Sequence, residues 1–459
     1  MRILRNLGLV LLPALVSGAA LAASLGTAGA NNDITFTKDV APILYRHCVE
    51  CHHPNDIAPM SLVTYKEARP WAAAVREAVV TRKMPPWDVD PNVGVYANDP
   101  RLSSAEIATL DAWAKNGAPE GDPKDMPPAP VFHEGFHINP DVVLTIPGTH
   151  VPAANQDEYD YIYVPTNFTE DKWIQAAEVV PGDRRVVHHA TVTVVSADAV
   201  PKMEAGHAHP KDGDKFRYRT GKVMHLRPEV AVVDDGCASP DGGALPGEHQ
   251  YVNHVPAIYL PGHGADIRPP GYALKIPAGS YLQFQVHYHN RTGKEVTDNT
   301  RIGLVFAKQP VKHEVAQYEI WNNMFLIPPG DANHRVTSCF TLPKDVMAVA
   351  YTAHMHFRGK SMKTEAIYPD GHRELIFSVP KYSFNWQQTY FLKHQFLLPK
   401  GTKLMTTAYF DNSPNNPLNP DPTKAIRWGE PSGEEMMGFW LKFTDVKPLD
   451  PQPVLAAKR

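Results

Sequence analysis

Residues 281–289 read Tyr281-Leu282-Gln283-Phe284-Gln285-Val286-His287-Tyr288-His289. Leu282, Phe284, Val286 and Tyr288 alternate with Gln283, Gln285, His287 and His289, the period-two pattern of a strand with one apolar face. His287 then falls on a polar face, available to a metal, and His289 reads as its solvated neighbour. Similar β-branched and aromatic runs occur at Val142-Val143-Leu144-Thr145-Ile146 and Tyr159-Asp160-Tyr161-Ile162-Tyr163-Val164, separated by Pro and Gly. With no βαβ rhythm and no glycine-rich phosphate loop, this texture predicts antiparallel sandwich architecture. About 320 residues of it imply two all-β antiparallel sandwich lobes in series, jelly-roll-like. Their expected bounds are 133–309 and 310–459, with Gln309-Pro310 as the seam.

Upstream, a proline-rich linker at 119–132 runs from Pro119 through Pro123, Pro127 and Pro128 to Pro130, too stiff and polar to be core. Before it, residues 31–118 are expected to form a small all-α unit. Thr37 is placed to cap a helix carrying Val40, Ile43 and Leu44 as its apolar stripe. Ser103 and Glu106 form a capping-box pattern ahead of Ile107, Leu110 and Trp113, and Asn116-Gly117 ends that helix.

Between these helices lies Cys48-Val49-Glu50-Cys51-His52, which uses two of the four cysteines in the chain. C-x-x-C-H is the attachment pattern of a c-type haem: each thiol forms a thioether to a vinyl group, and the adjoining imidazole ligates iron. A redox dithiol would need a βαβ context, and zinc a second ligand pair; neither is evident. The second axial ligand is expected to be Met84, in Lys83-Met84-Pro85-Pro86-Trp87, with Met60 as rival and core filling as the bland alternative. A helix before the motif and another closing the unit resemble the class I cytochrome c arrangement.

Arg2 and Arg5 precede an apolar run from Leu7 to Ala22, followed by Ala20-Leu21-Ala22 and Ala28-Gly29-Ala30. Residues 1–30 therefore read as a secretory signal peptide, giving a periplasmic or secreted protein with no integral membrane segment in the mature chain. A net charge of −4 gives no reason to invoke nucleic acid or an anionic membrane.

Several histidines are spaced for metal. His354 and His356, in Ala353-His354-Met355-His356, project from one face if the segment is a strand; two solvated histidines are the alternative. His188-His189 pose a geometric problem, because strand neighbours point to opposite faces. Both reach one ion only at a bulge, at a strand end or through different ring nitrogens.

The order His188-His189, then Gln285-Val286-His287-Tyr288, then His354-Met355-His356, then Glu434-Glu435-Met436 resembles the copper type II, ascorbate-dependent monooxygenases, the family of the peptidylglycine alpha-hydroxylating and dopamine beta-monooxygenases. The resemblance spans roughly 135–445 and implies two β-sandwich lobes, each holding one copper. By motif, His188, His189 and His287 look like the electron-storing site. His354, His356 and Met436 look like the catalytic site where oxygen and substrate meet; Met436 is preferred to Met437 on the resemblance alone. A soft thioether with two imidazoles suits Cu(I), whereas three imidazoles suit a copper cycling between two states. The partners implied are O2, an external electron donor and a small organic or peptide-like substrate.

The expectation is therefore an exported enzyme that hydroxylates a C–H bond, with electrons passing from one covalent haem c to the three-histidine copper and on to the second copper. The competing reading is a non-catalytic electron-transfer or copper-binding protein. A blue-copper reductase is excluded because neither Cys237 nor Cys339 is followed by the required histidine and methionine. Those two cysteines are free to pair or to stay as thiols. His207, His209, His225, His249, His254 and His263 read as loop or surface residues, and Asp234-Asp235 as a solvated turn.

Overall fold

The computed structural model describes residues 34–54, 58–132, 135–153, 157–200, 217–219, 230–244, 252–260, 263–290, 292–429 and 431–447. The expected signal peptide and His207, His209, His225 and His249 lie outside the described residues. No helix among the described residues is long and apolar enough to cross a membrane.

The helical unit forms first in the chain. Its opening helix begins at Phe36 as one π-turn, Phe36–Val40, and continues as Ala41–His47, so Thr37 is a buried interior residue and not the cap. Ser103 does cap Ser104–Lys115: its hydroxyl accepts from Glu106 N–H while the Glu106 carboxylate accepts from Ser103 N–H. Phe36, Leu44, Val79, Leu110 and Trp113 make the core, with the Phe36 and Trp113 rings 5.9 Å apart.

The linker is less independent than its composition suggests. Pro119 and Glu120 carbonyls accept from Phe36 and Thr37 N–H, both at 2.9 Å, and Pro119 also accepts from the Trp113 indole at 3.0 Å. Gly121 sits at φ +95°, where a Cβ would meet Thr37 Oγ1 at 2.4 Å, so only glycine lets the chain lie this close to the first helix. Residues 85–98 depart from the expected unit in the other direction. Val89 and Tyr96, 3% and 6% exposed, belong to the core of the C-terminal lobe.

The remainder is β. In the N-terminal lobe, one sheet runs 217–219, Asp157–Pro165, Tyr281–His289, Val187–Val195, Ile258–Tyr259. It packs on strands Val142–Thr145, Arg301–Phe306, Lys172–Val180 and Tyr272–Ile276. Leu282, Phe284, Val286 and Tyr288 meet Ile174, Val179, Leu274, Ile302 and Leu304 in that sandwich. Each such side chain contributes about 1.5–3 kcal/mol by leaving water. The opposite face is polar but covered: Gln283 donates to Tyr163 Oη at 2.8 Å, and His287 is 1% exposed beneath Tyr159. The strand is buried on both faces, where alternation predicted one.

The C-terminal lobe sets strands His313–Trp321, Gly438–Asp445, Val346–His354 and Thr389–Leu398 against His334–Thr341, Lys403–Phe410, Gly359–Ile367 and Arg373–Val379. Phe439, Leu441, Phe443 and Tyr351 face Phe377, Leu404 and Phe410 in the core. Gln309-Pro310 lies in the connection between Arg301–Phe306 and His313–Trp321. Across that connection the lobes share a sheet, because Tyr272–Ile276 pairs in parallel with His313–Trp321 through Tyr272↔His313 and Ala273↔Glu314.

Two further ties cross the seam. Lys442 Nζ lies 3.4 Å from Asp266 Oδ1 with both residues buried. Burial pushes the Asp266 carboxyl up, but Lys442, His263 and Arg268 together hold it well below its ordinary value. His263 thus has a buried side chain, 7% exposed, where a loop or surface role was expected. His254 is half-buried and pairs with Glu314 at 3.0 Å. The second tie is segment 230–244, which crosses to the C-terminal lobe: Val233 N–H donates to Met324 O, Thr337 N–H donates to Asp234 O, and Cys237 is disulfide-bonded to Cys339. Asp234 and Asp235 accept from Leu326 N–H and the Thr337 hydroxyl, so they dock this segment and are not a solvated turn.

Candidate metal centres

The His188-His189 problem is solved by a bulge. His287 pairs with His189, but the next residue, Tyr288, pairs with Val187, so His188 is the extra residue in its strand. The bulge turns both histidines toward His287. His189 Nδ1 lies 3.2 Å from His188 Nδ1 and 3.2 Å from His287 Nδ1. All three residues offer ligand atoms within 4.8 Å of one another. Tyr159 stacks on His287 at 4.3 Å and 7°, which fixes the plane of that ring. Three imidazole nitrogens converging at such spacing fit a single ion that favours nitrogen donors.

The second cluster stands at the end of Val346–His354. Pairing of His354 with Gly438 brings Met436 alongside, and Met436 Sδ is 3.2 Å from His354 Nε2. Met437 is fully buried in the lobe core, so geometry separates two methionines that the sequence left adjacent. His356 lies just past the strand, not in it, with its ring 5.1 Å from that of His354. The His354 Nδ1 edge meets Gln387 Oε1, which as an acceptor leaves Nε2 with the lone pair on the Met436 side. His356 Nδ1 is 3.3 Å from Glu434 O, orienting that ring in the same way. Trp440 and Trp321 stand 5.4 and 6.1 Å from the His354 ring. Two imidazoles and a thioether fit a cuprous ion.

Residues that spacing did not single out hold this cluster in place. Glu435, fully buried, accepts from His356 N–H at 2.8 Å and from Arg358 N–H at 2.5 Å. Burial pushes its carboxyl up, to about 8, against the pull of the Arg358, His356 and Met436 N–H groups and the Arg358 guanidinium. Arg358, 1% exposed, in turn donates to Asn412 Oδ1 and Gly433 O. Glu435 is the neighbour of Met436 in the motif itself, which was its only visible signal; Gln387 had none.

The two clusters face each other. Phe384 stacks on His188 at 5.4 Å and meets His356 edge-on at 6.0 Å. Burial first, then the charges of His287, His188, His354 and His356, lowers His189 well below its ordinary value. Burial also lowers His354, to about 4, against its bond to Gln387. Both imidazoles are therefore neutral in the fold at a pH where their unfolded counterparts, near 6.5, take up protons. The unfolded chain binds more protons in this window, so folded stability declines as pH falls from about 6.5 toward about 4. The metal-free protein is expected to show a falling urea midpoint across that range, with a shallower fall for His354→Gln. Equal slopes in the two proteins would refute this.

In the helical unit, Cys48 N–H donates to Leu44 O at 2.8 Å and His52 N–H to Cys48 O at 2.9 Å, so the cysteine pair and its histidine lie on one tight turn. Burial, with Cys51 beside it, pushes the Cys48 thiol up to about 12. His52 Nδ1 lies 3.3 Å from Met60 O, which puts the Met60 backbone behind the imidazole and leaves Nε2 as the ring nitrogen able to take a metal. Met84 lines a cavity of about 480 Å³ with Val79, Leu102, Ile107 and Trp87, and with Arg82 and Arg101 as its cations. Cys48, Cys51 and His52 are not among its lining residues, so this cavity does not bring Met84 together with the cysteine–histidine turn.

No curated protein matches the chain. Among solved structures, the major capsid protein P2 from bacteriophage PM2 aligns at 6% identity and TM-score 0.23, covering 67% of this chain and 98% of that one. PNGF-II aligns at 10% identity and TM-score 0.22, covering 69% and 61%. Likenesses this weak carry no argument. Residues 318–448 match the family model of the copper type II ascorbate-dependent monooxygenase, C-terminal domain, the stretch that contains His354, His356 and Met436.

Proposed function

We propose that the chain is an exported copper- and haem-dependent monooxygenase that hydroxylates a C–H bond of a small organic substrate. The observation that carries this reading is the three-histidine cluster standing opposite the His354–Met436 pair, with the second cluster inside the matched region. His188, His189 and His287 would hold one copper, and His354, His356 and Met436 the other. Bound copper would supply one-electron redox chemistry and the activation of dioxygen.

The protein's own part is positional. The bulge aims His188, Gln387 and Glu434 orient the two imidazoles of the second cluster, and Glu435 ties the backbone beneath them. Trp321 and Trp440 pack beside His354 and hold its ring in place. Cys48 and Cys51 would attach haem, with His52 and Met84 to iron; the group would store one electron at a time from an external donor.

The test is elemental analysis with copper EPR on protein exported with its haem attached. One iron and two coppers are expected, with copper falling to one in His354→Ala and substrate-dependent oxygen uptake lost in Met436→Ala. Iron without stoichiometric copper after reconstitution would replace this reading with that of an electron carrier.

A further inference from the structure

Residues 380–388 join Arg373–Val379 to Thr389–Leu398 and supply three side chains to the second metal cluster. Gln387 bonds to the His354 ring, Phe384 meets the His356 ring edge-on at 6.0 Å, and Tyr382 reaches the backbone between the two histidines. The Tyr382 hydroxyl accepts from Met355 N–H at 2.9 Å and donates to Met355 O at 2.6 Å. Met355 lies just past the end of Val346–His354, so this hydroxyl stands where a ladder partner would, satisfying both the N–H and the C=O of a fully buried residue. A Cβ on Gly359 would meet Met355 Cβ at 2.6 Å and Tyr382 Cδ1 at 2.8 Å, so the three residues interlock without spare room.

The loop is gripped from outside by the segment that leaves the helical unit. Before the loop, Asp90 N–H donates to Ser378 O at 2.8 Å. After it, Asn98 donates to Thr389 O at 2.7 Å and accepts from Phe391 N–H at 3.0 Å, while Ala97 N–H donates to Phe391 O and Lys393 N–H to Val95 O. Trp87 meets Tyr390 edge-on at 4.8 Å. Within the loop, Asp88 faces the Ser383 N–H and the Lys381 ammonium; burial pushes its carboxyl up to about 6 against the pull of both. Residues 87–98 thus hold the loop at its entry, its middle and its exit.

We infer that Tyr382 is a positioning residue for the second metal cluster, fixing the spacing of His354 and His356 through the Met355 backbone, and that residues 87–98 hold in place the loop that carries it. The inference rests on the copper reading above and does not depend on haem. A ligand set must be kept within about 0.5 Å of its binding geometry by groups that are themselves locked. Backbone just past a strand end has no ladder to lock it, and the two Tyr382 bonds supply that constraint at the residue between the ligands. Tyr382 acts through Met355 and not as a ligand. The helical unit is then a support of the metal site, joined to it by backbone bonds on either side of one loop.

The experiment is cuprous-ion titration of the full-length protein against a chromophoric cuprous chelator, in a His188→Ala background that reads the second cluster and a His354→Ala background that reads the first. Tyr382→Phe keeps the ring and loses both bonds. It is expected to weaken the second cluster about tenfold, as loss of a ligand-supporting hydrogen bond does, and to leave the first unchanged. Asn98→Ala, at an exposed residue outside the lobe core, is expected to weaken the second cluster several-fold with the same selectivity. Equal losses at both clusters, or none in Tyr382→Phe, overturn the positioning role. An unchanged second cluster in Asn98→Ala overturns the part given to residues 87–98. A parent protein that takes up no cuprous ion in either background overturns the copper reading beneath.

Discussion

Glu435→Ala is expected to cost about 3–5 kcal/mol of stability and to abolish oxygen-coupled turnover. The carboxylate is fully buried and takes N–H groups from both His356 and Arg358. Removing it leaves two buried donors without their acceptor, each costing about 1–3 kcal/mol. The loss also falls on function, because the same bonds pin the backbone of His356 and the segment that ends in Met436. Glu435→Gln keeps the shape and one acceptor, so it should retain part of the stability. Urea unfolding and copper titration of the three proteins check this; an Ala variant within 1 kcal/mol of the parent, judged against the typical cost of a buried orphan, sinks the argument.

The second large effect concerns the seam. Cys237 comes from a segment that precedes Tyr272–Ile276 in the N-terminal lobe, whereas Cys339 lies within a C-terminal strand, and their bond closes a separation of 102 residues. A loop of that size predicts about 4.7 kcal/mol from the restricted unfolded chain. Cys339→Ser should lower the unfolding free energy by roughly that amount. Because the staple crosses between lobes, reduction should also loosen the facing of the two histidine clusters. A hydrogen-exchange comparison would show this as faster exchange in Asn322–Leu326 and Thr337, the partners of the docked segment. Unchanged exchange there would mean that the shared sheet and the Asp266–Lys442 pair hold the lobes unaided.

Both effects depend on partners far apart in the chain, and this separates what was legible from what was not. The alternation in 281–289, the helical spacing around Ser103 and the C-x-x-C-H turn each follow from neighbours within a few residues, and all are local rules. The histidine spacing also picked out residue types able to bind metal. It could not show that His188 is a bulge residue, because a bulge is a property of the pairing with Tyr281–His289 and not of either strand alone.

Local pattern misled where tertiary packing overrode it. The linker at 119–121 was read from its prolines, yet its carbonyls are taken up by the first helix. The polar face of 281–289 was read as exposed, yet Tyr159, Tyr161 and Tyr163 of the adjacent strand cover it. A side chain's hydrophobicity states its preference, and the neighbouring strand decides whether water reaches it.

By itself, the sequence determined the helical-then-β order of the chain, the cysteine–histidine turn and the residue types able to bind metal, because these depend on short-range periodicity and side-chain chemistry. Only the tertiary structure decided that Met436 and not Met437 meets His354, that Cys237 joins Cys339, and that residues 85–98 seat against Ser378 and the strand at 389–393. Each of those is a contact between distant segments, made when strand register brings them together, and register is settled by how well whole faces bury.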